Sequence, residues 1–543
     1  MLFNSREFIF AFLPLTVVGF FLLGGISRTW AMRWVILASL VFYAWWRPFN
    51  VLIIAPSIVI NYGLARTLER LGAQPNRRAL SRVVLLVGIA FNVAFLGYFK
   101  YANFAASTVN DVLGTHLVLT QIVLPLGISF ITFQKIAFLI DVHARRVESF
   151  SLQDFSLFVL FFPQLIAGPI VHYREVMPQF HRAACVFDRE NVSVGVTLLA
   201  FGLFKKAVLA DGIAPLVTPL FDQAASGTSM SLLPAWMAAV GFTLQIYFDF
   251  SGYTDMALGM ARLFGVRLPP NFNSPLRSSS IIDFWLRWHM TLSRFLTAYV
   301  YNPLALWLTR RRLARGLAGV GGRKTTIGAF VKLLMFPTIL TMLVSGTWHG
   351  AGYLFMLWGL LHGVFLTINH GWRLLRPTVW PDKRSYARVS GPLGWALTFA
   401  GVAASMVVFR SPTLTAARGL LRGMSGTNGL ALPTPVYDYL GPATRWLHQA
   451  GVVQGLGDGI AFNILAFWTA GLAVVAFCCP NTLQILARHE PSLGWGGQSG
   501  EVVGLRSTLT WRASLAWATV VSILTVIGVL RLGGHSEFLY WQF

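Results

Sequence analysis

Long apolar segments, separated by short polar links, run through almost the whole chain. Apolar runs of about 18 residues recur, and this length lets a helix cross about 30 Å of hydrocarbon. The segments lie near residues 8–26, 31–46, 49–65, 83–99, 122–140, 155–171, 192–209, 236–250, 328–347, 351–369, 392–409, 461–479 and 513–531. Allowing for broken segments, the pattern predicts an all-α polytopic integral membrane protein with roughly 11–13 transmembrane or re-entrant helices.

Two of these segments contain residues that a lipid-facing helix would not need. Segment 122–140 carries Pro125, Gly127 and several hydroxyl side chains, and segment 155–171 is interrupted by Pro163-Gln164 and Gly168-Pro169. Irregular backbone at membrane depth is tolerated only where protein or a polar cavity surrounds it. We therefore expect broken or re-entrant helices inside the protein.

Composition and charge fit the same class of protein. Hydrophobic residues make up 55% of the chain and charged residues only 12%, against roughly 25% charged residues in soluble domains. The net charge of +23 arises in short basic loops near 66–82, 310–324 and 373–388. The positive-inside rule explains such loops and predicts that they are cytoplasmic, so nucleic acid is not an expected partner.

The domain organisation follows from the same pattern. The sequence contains no internal repeat and no soluble domain of any size, which predicts one membrane-embedded domain over residues 1–543, with C-terminal helices at 390–543. If every apolar segment between residues 190 and 310 crossed the membrane, the flanking loops would not fall on consistent sides. At least one segment there should therefore be re-entrant.

One histidine lies between two membrane-class segments. Segment 328–347 contains one charge, Lys332, and segment 351–369 contains none, so His349 sits at the turn of a predicted hairpin entered from the cytoplasm. A titratable residue is costly there and is a functional candidate by default. Histidine is a natural general base because its unperturbed pKa is about 6.5. The alternative is a structural interhelical hydrogen bond.

A second histidine falls on a predicted amphipathic helix that Ser280 could cap. The buried face of this helix recurs at helical spacing and comprises Ile281, Phe284, Trp285, Trp288, His289 and Leu292. Asp283 and Arg287 fall on the other side at a spacing that allows an ion pair. We therefore expect His289 to be buried among aromatic residues.

Other polar residues occur in apolar surroundings. Asp249 and Asp255 must be paired or face a polar cavity. Lys205 and Lys206 stand near the end of an apolar segment, and snorkelling to the interface is favoured over anion binding. His362, next to Gly363, is favoured as a helix-packing residue.

Several common catalytic motifs are absent from the sequence. It contains no Gly-x-Ser-x-Gly elbow, no His-Glu-x-x-His, no P-loop and no dinucleotide fingerprint. The three cysteines, Cys185, Cys478 and Cys479, lack metal-type spacing, so no metal site is predicted.

Several ordered motifs resemble the membrane-bound O-acyltransferase family, in the branch of the alginate O-acetylation and teichoic acid D-alanylation proteins. These motifs are Pro125-Leu126-Gly127-Ile128-Ser129-Phe130, Phe162-Pro163-Gln164-Leu165-Ile166-Ala167-Gly168-Pro169, Phe248-Asp249-Phe250-Ser251-Gly252-Tyr253, Asn271-Phe272-Asn273, Phe284-Trp285 with Trp288-His289, Trp348-His349-Gly350 and Phe538-Leu539-Tyr540-Trp541-Gln542-Phe543. The chain departs from alginate members in the turn after His289, where it has Tyr301-Asn302-Pro303-Leu304, and at His172. The resemblance therefore does not extend to alginate as the end substrate.

The resemblance implies a fold, an activity and a site. It implies a ring of helices around a thin centre with a tunnel. It also implies a catalytic core at about 120–370, in which His349 and His289 are the catalytic residues and His349 is the general base. The tunnel-lining residues that we expect on this basis are Asp249, Asp255, Trp288, Trp348, Asn273 and His362. No bound cofactor or metal is implied.

The resemblance also implies a place in the cell. We expect a multi-pass protein of the bacterial inner membrane, surrounded by lipid, that uses acetyl-CoA or another acyl thioester as donor substrate. A periplasmic SGNH-like acetyltransferase is the implied partner, and a polysaccharide is the indirect acceptor. Two alternatives come from other classes: a transporter or flippase with a buried histidine, and a scaffold that recruits a soluble transferase. Transporters commonly show repeated halves, which this sequence lacks.

Overall fold

The computed structural model describes residues 1–119, 122–182, 185–321, 325–449, 451–495, 509–532 and 538–539, so the last four residues of the closing motif lie outside the described residues. The α-helices are α1 Leu13–Ile26, α2 Arg28–Ala44, α3 Phe49–Gly72, α4 Arg78–Leu96, α5 Ala102–Leu113, α6 Ile128–His143, α7 Leu152–Leu160, α8 Phe162–Leu165, α9 Tyr173–Arg182, α10 Arg189–Phe204, α11 Asp211–Ala225, α12 Leu232–Leu263, α13 Ile281–Trp285, α14 Met290–Leu296, α15 Asn302–Leu313, α16 Ile327–Phe330, α17 Phe336–His349, α18 Tyr353–Val379, α19 Lys383–Arg410, α20 Leu414–Met424, α21 Thr434–Tyr439, α22 Thr444–Gln449, α23 Ile460–Cys478, α24 Thr482–Ile485 and α25 Leu515–Leu530.

Short pieces of other structure join or extend these helices. Strands β1 Leu430–Leu432 and β2 Val452–Gln454 pair in parallel. Turns of 3₁₀-helix lie at Pro75–Arg77, Pro275–Arg277, Gly441–Ala443 and Ala487–His489. Segments of π-helix lie at Phe8–Phe12, Gly97–Tyr101, Lys205–Ala210, Thr297–Tyr301 and Val331–Met335. Single-turn π segments inside α-helices often mark functional sites.

The prediction of an all-α, multi-pass membrane protein is confirmed. Eight helical runs in the described residues are long and apolar enough to cross a membrane: Phe8–Ile26, Phe49–Gly72, Pro75–Leu113, Arg189–Ala225, Ile327–His349, Tyr353–Val379, Lys383–Arg410 and Ile460–Cys478. Predicted spans near 31–46, 122–140 and 513–531 become the shorter helices α2, α6 and α25, which have 17, 16 and 16 residues. The total of 11–13 spans therefore included segments shorter than a full crossing.

The two segments predicted to be irregular are irregular. The chain reaches α6 through Gly127, which adopts a positive φ of 68° that a side chain would disfavour. After α7 the backbone breaks at Phe161, whose φ and ψ are −49° and 105°, and restarts as the short helix α8. Pro163 lies in the first turn of α8, where it needs no backbone hydrogen-bond partner.

The chain forms two compact units whose segments interleave along the sequence. The first contains Met1–Phe204, Ser251–Asn271 and the described residues from Thr482 onward. Its core is rich in phenylalanine, and Tyr253 stacks on Phe3 and meets Phe538 edge to face. Buried amides also pair within it, because Asn61 and Asn92 of neighbouring helices α3 and α4 exchange hydrogen bonds.

The second unit contains Lys205–Phe250 and Phe272–Asn481. It holds the antiparallel hairpin α17–α18, helix α19 and the short helices α13 and α14. Both predicted catalytic histidines lie in this unit. That the chain is a single domain with a central tunnel stays a prediction.

One predicted helix is wrong in its length. The sequence pattern suggested a continuous helix through residues 281–292, but α13 ends at Trp285 and α14 begins at Met290. The break comes at His289, whose φ and ψ of 44° and 51° are left-handed. The predicted buried face is nevertheless correct, since all six of its residues are buried. Ser280 accepts a hydrogen bond from the amide of Asp283 and caps α13, as expected.

Candidate functional site

The hairpin α17–α18 places His349 at its turn, as the sequence predicted. His349 is the last residue of α17, and Gly350 continues in an extended conformation. The two helices cross closely because Gly346 packs directly against Gly359, and a Cβ at either glycine would overlap the facing backbone. Small residues allow such close approach between membrane helices. The crossing therefore fixes the position of His349 relative to α18.

We expect Gly359→Ala to reduce the acyl transfer that the resemblance implies by about one to two orders of magnitude without unfolding the protein, because a shift of about 1 Å at a catalytic group can have that effect. Its added methyl group would overlap the carbonyl oxygen of Met342 and push the helices apart. The measurement is the initial rate in proteoliposomes. Gly471→Ala in α23 is a matched control, since its Cβ would enter open space. Equal rates in both variants and wild type would contradict the role of the crossing.

His289 is held in a strained backbone conformation within a fully buried setting. Its side chain is 0% exposed, and its ring meets Phe250 edge to face with centroids 4.8 Å apart. Left-handed backbone at a residue other than glycine costs free energy, and such strain concentrates at functional sites. The ring centroid of His289 lies 6.2 Å from that of His349. The structure therefore brings the two predicted catalytic histidines together.

Burial also sets the charge of His289. It lowers the pKa of the ring to about 3, so the imidazole is neutral at neutral pH. In the unfolded chain the ring takes up a proton below about pH 6.5. Because the unfolded state then binds the extra proton, this residue reduces stability progressively as pH falls from about 6.5 to 3.

We therefore expect the unfolding temperature of the purified protein to fall less steeply between pH 7 and pH 4 in His289→Gln than in wild type. Glutamine keeps a polar side chain of similar length but has no titrating group in this range. The measurement is thermal unfolding in detergent, followed by tryptophan fluorescence at several pH values. Parallel curves for the two proteins would contradict the buried, neutral state of His289.

Aromatic side chains enclose His349. Trp348, Trp358 and Phe409 contact its ring at centroid distances of 5.0, 5.2 and 5.6 Å, and His349 itself is only 7% exposed. Two polar atoms in this region, Nε1 of Trp358 and Oγ of Ser345, are buried without a hydrogen-bond partner among the described residues. Buried polar groups normally have a partner, so these atoms fit a site that accepts a polar ligand or water.

His362 is bonded to protein through both ring nitrogens. Nε1 of Trp285 donates to its Nδ1 at 3.2 Å, and its Nε2 lies 2.9 Å from Oγ of Ser405. The hydroxyl of Ser405 donates to the carbonyl of Val402, so Nε2 of the neutral ring is the donor to Ser405. Because both of its nitrogens have partners, His362 is suited to holding Trp358 in place, and its ring packs on the ring of Trp358. Its predicted tunnel-lining role stays a prediction.

The two conspicuous acids belong to different units, and each has a partner. Asp249 forms an ion pair with Lys206 at 2.7 Å in the second unit. In the first unit, the hydroxyl of Thr482 donates to Asp255 at 2.7 Å. Snorkelling of Lys206 was wrong, since its side chain is 1% exposed and held by Asp249 and Asp211. The ammonium group of Lys206 is therefore paired with carboxylates inside the protein and does not reach the membrane interface.

The remaining predicted residues surround the histidines less directly. Trp288 is buried, and its ring stacks on Phe284 at 5.5 Å. The side-chain oxygen of Asn273 accepts from Asn481 at 3.3 Å, and its backbone amide donates to the carbonyl of Arg287. Both residues thereby brace the chain around α13. Their place in a tunnel stays a prediction.

The sequence did not reveal two residues that contact the histidines of the site. Ser405 and Phe409 lie on α19, more than 50 residues after His349, and no local pattern connects them with the site. Ser345 could have been found, because it precedes His349 by four residues on a helix and so shares its face.

Comparison with known proteins identifies a family. The sequence model of the MBOAT family, the membrane-bound O-acyltransferases, matches residues 85–318 of this chain. The peptidoglycan O-acetyltransferase of Helicobacter pylori is 38% identical over 80% of this chain and 81% of that protein. The probable alginate O-acetylase AlgI of Pseudomonas aeruginosa is 36% identical over 78% of this chain and 75% of that protein. The teichoic acid D-alanyltransferase of Streptococcus thermophilus is 29% identical over 52% of this chain and 68% of that protein.

Proposed function

The chain belongs to the membrane-bound O-acyltransferase family, and from that premise we propose that it moves an acetyl group from a cytoplasmic thioester across the membrane for O-acetylation of a polysaccharide. It is a multi-pass membrane acyltransferase, and the resemblance drawn from the motifs is confirmed. Two relatives that match over three quarters of the chain carry the names of an O-acetyltransferase and an O-acetylase, which supports acetyl as the transferred group. The transporter alternative has no support among the relatives.

The observation that carries the proposed mechanism is the pairing of His349 with His289 inside an aromatic wall. Their rings are tilted by 55° with centroids 6.2 Å apart, which is compatible with one substrate oxygen approaching a nitrogen of each ring. Exclusion of water strengthens hydrogen bonds to charge that develops in such a site. Two imidazoles can therefore act on the same reacting group.

His349 is the general base in this proposal. It removes the proton from an acceptor hydroxyl as the hydroxyl oxygen bonds to the carbonyl carbon of the donor thioester. The carbon–sulfur bond then breaks, and the protonated His349 returns the proton to the leaving thiolate. The products are an O-acetyl ester and a free thiol, and no bound cofactor or metal takes part in this scheme.

His289 complements this role. Because its ring is neutral, one nitrogen carries a hydrogen that can be donated to the oxyanion of the tetrahedral intermediate, or that can orient the acceptor hydroxyl. Its left-handed backbone conformation places it at the break between α13 and α14. Preorganised donors of this kind avoid reorganisation during the reaction.

Donor, partner and membrane follow from the chemistry of the proposal. Acetyl-CoA or another acyl thioester is the donor, and a periplasmic SGNH-like acetyltransferase receives the acetyl group and passes it to the polysaccharide. The chain resides in this scheme in the bacterial inner membrane, with its basic loops in the cytoplasm. The basic composition of residues 373–388 supports this orientation.

A sided transfer assay tests the proposal. The full-length protein is placed in proteoliposomes, labelled acetyl-CoA is supplied on the side of the basic loops, and a periplasmic acceptor partner is supplied on the other side. We expect label to reach the partner only when the protein is present. Label that stays with the donor when partner and protein are both present would reject the proposed relay, and label that crosses as intact acetyl-CoA would favour the transporter.

A further inference from the structure

A groove between α18 and α19 lies apart from the two catalytic histidines. It has a volume of about 700 Å³ and runs from Phe365 and Gly401 at its inner end to Arg373 and Arg376 at its mouth. Neither His289 nor His349 lines it. A thioester bound along this groove would therefore not present its acyl group to the proposed general base.

The inner part of the groove suits a hydrocarbon chain. Ile368, Leu393 and Leu397 line it and are 64%, 55% and 65% exposed. These side chains lie on the apolar spans α18 and α19, so their exposed surfaces meet lipid rather than water. The groove consequently opens sideways into the membrane.

The mouth of the groove is basic and built from ordered contacts. The guanidinium of Arg376 lies over the ring of Tyr386 at 4.9 Å, and Nε1 of Trp372 donates to the hydroxyl of Tyr386 at 2.9 Å. No carboxylate pairs with Arg373 or Arg376 within the part of the chain that the structure describes. The nearby acid, Asp382, instead accepts from two backbone amides at the start of α19.

We propose that this groove binds an anionic phospholipid of the cytoplasmic leaflet, with its phosphate between Arg373 and Arg376 and one acyl chain along Leu393 and Leu397. Aromatic side chains at headgroup depth and arginines near anionic lipid are the expected chemistry of such a site. The predicted cytoplasmic position of residues 373–388 places the mouth at that leaflet. Charge at the mouth and apolar lining within thus match the two ends of one lipid.

The groove also borders the chain segment that precedes α13. Ser279, Ser280 and Ile281 line the groove and lead into α13, whose Trp285 donates to His362. Gly394 of α19 packs directly on the carbonyl of Ser279, and the indole of Trp395 donates to the carbonyl of Leu276 at 3.0 Å. A lipid in the groove therefore supports the same segment from the lipid side.

Lipid retention by variants tests the proposal. The full-length protein is reconstituted in phosphatidylcholine vesicles that contain a minor fraction of phosphatidylglycerol, extracted in mild detergent, and analysed for retained lipid by mass spectrometry. We expect wild type to retain phosphatidylglycerol selectively and Arg373→Gln/Arg376→Gln to retain about tenfold less. Arg384→Gln/Arg388→Gln removes the same charge from exposed positions of α19 outside the groove and should stay within about twofold of wild type.

A second variant keeps the arginines and fills the groove. Leu397→Trp should lose phosphatidylglycerol as strongly as the double arginine variant, while its unfolding temperature confirms that it folds. Equal losses in the two double variants would overturn the proposal in favour of diffuse attraction. Displacement of the retained lipid by coenzyme A, or by inorganic phosphate, would overturn it in favour of a donor site or a free phosphate site.

Discussion

Replacing His349 by alanine is expected to reduce acetyl transfer by about two to four orders of magnitude, which is the usual contribution of general acid–base catalysis. The side chain lies at the hairpin turn and is 7% exposed, with three aromatic rings in contact and the His289 ring 6.2 Å away. The measurement is the initial rate of label transfer from acetyl-CoA in proteoliposomes, at equal amounts of protein.

A matched control separates catalysis from folding in this experiment. His370 lies in the half of α18 that is remote from the hairpin turn. His370→Ala therefore removes a histidine from the same hairpin and should keep the rate within about twofold of wild type. The unfolding temperatures of both variants should lie near that of wild type. Full transfer by His349→Ala would leave the scaffold alternative, in which both histidines are dispensable.

Much of the fold was predictable because the membrane restricts the choices. Apolar segments of sufficient length must be helical to satisfy their backbone groups, and the observed spans follow the predicted ones closely. The position of His349 at a hairpin turn followed from two apolar segments flanked by basic loops. The breaks near Gly127 and Phe161 were signalled by proline and glycine in otherwise apolar segments.

The rest of the site depends on contacts that local patterns do not carry. Helical periodicity placed His289 on a buried face correctly, but it could not show that the helix breaks at that residue. The contact between His349 and Phe409 joins helices that are distant in sequence. The sequence suggested that Lys206 reaches the membrane interface. Its partner Asp249 lies 43 residues later, so no local pattern indicates the pairing, which is visible only in the packed structure.

Breaking the ion pair of Lys206 is expected to destabilise the protein strongly. Its ammonium lies 2.7 Å from Asp249 and 2.8 Å from Asp211, and the side chains of Lys206 and Asp249 are 1% and 2% exposed. Removing one partner of a buried pair costs about 3–5 kcal/mol because the other charge stays in a low dielectric. We therefore expect Lys206→Met to lower the free energy of unfolding by about that amount. Denaturant unfolding of the detergent-purified protein measures the change.

A double-mutant cycle tests whether the loss comes from this pair. Adding Asp249→Asn to Lys206→Met should restore much of the lost stability, since a buried ion pair can be replaced by neutral groups at little cost. Asp211→Asn should have a smaller effect, because the side chain of Asp211 is 24% exposed and water screens it. Additive losses for Lys206 and Asp249 would contradict direct coupling. Coupling would mean that Asp249 of the Phe248-Asp249-Phe250 motif holds the helical segment Lys205–Ala210 in place through Lys206. The neighbouring residue, Phe250, packs on His289.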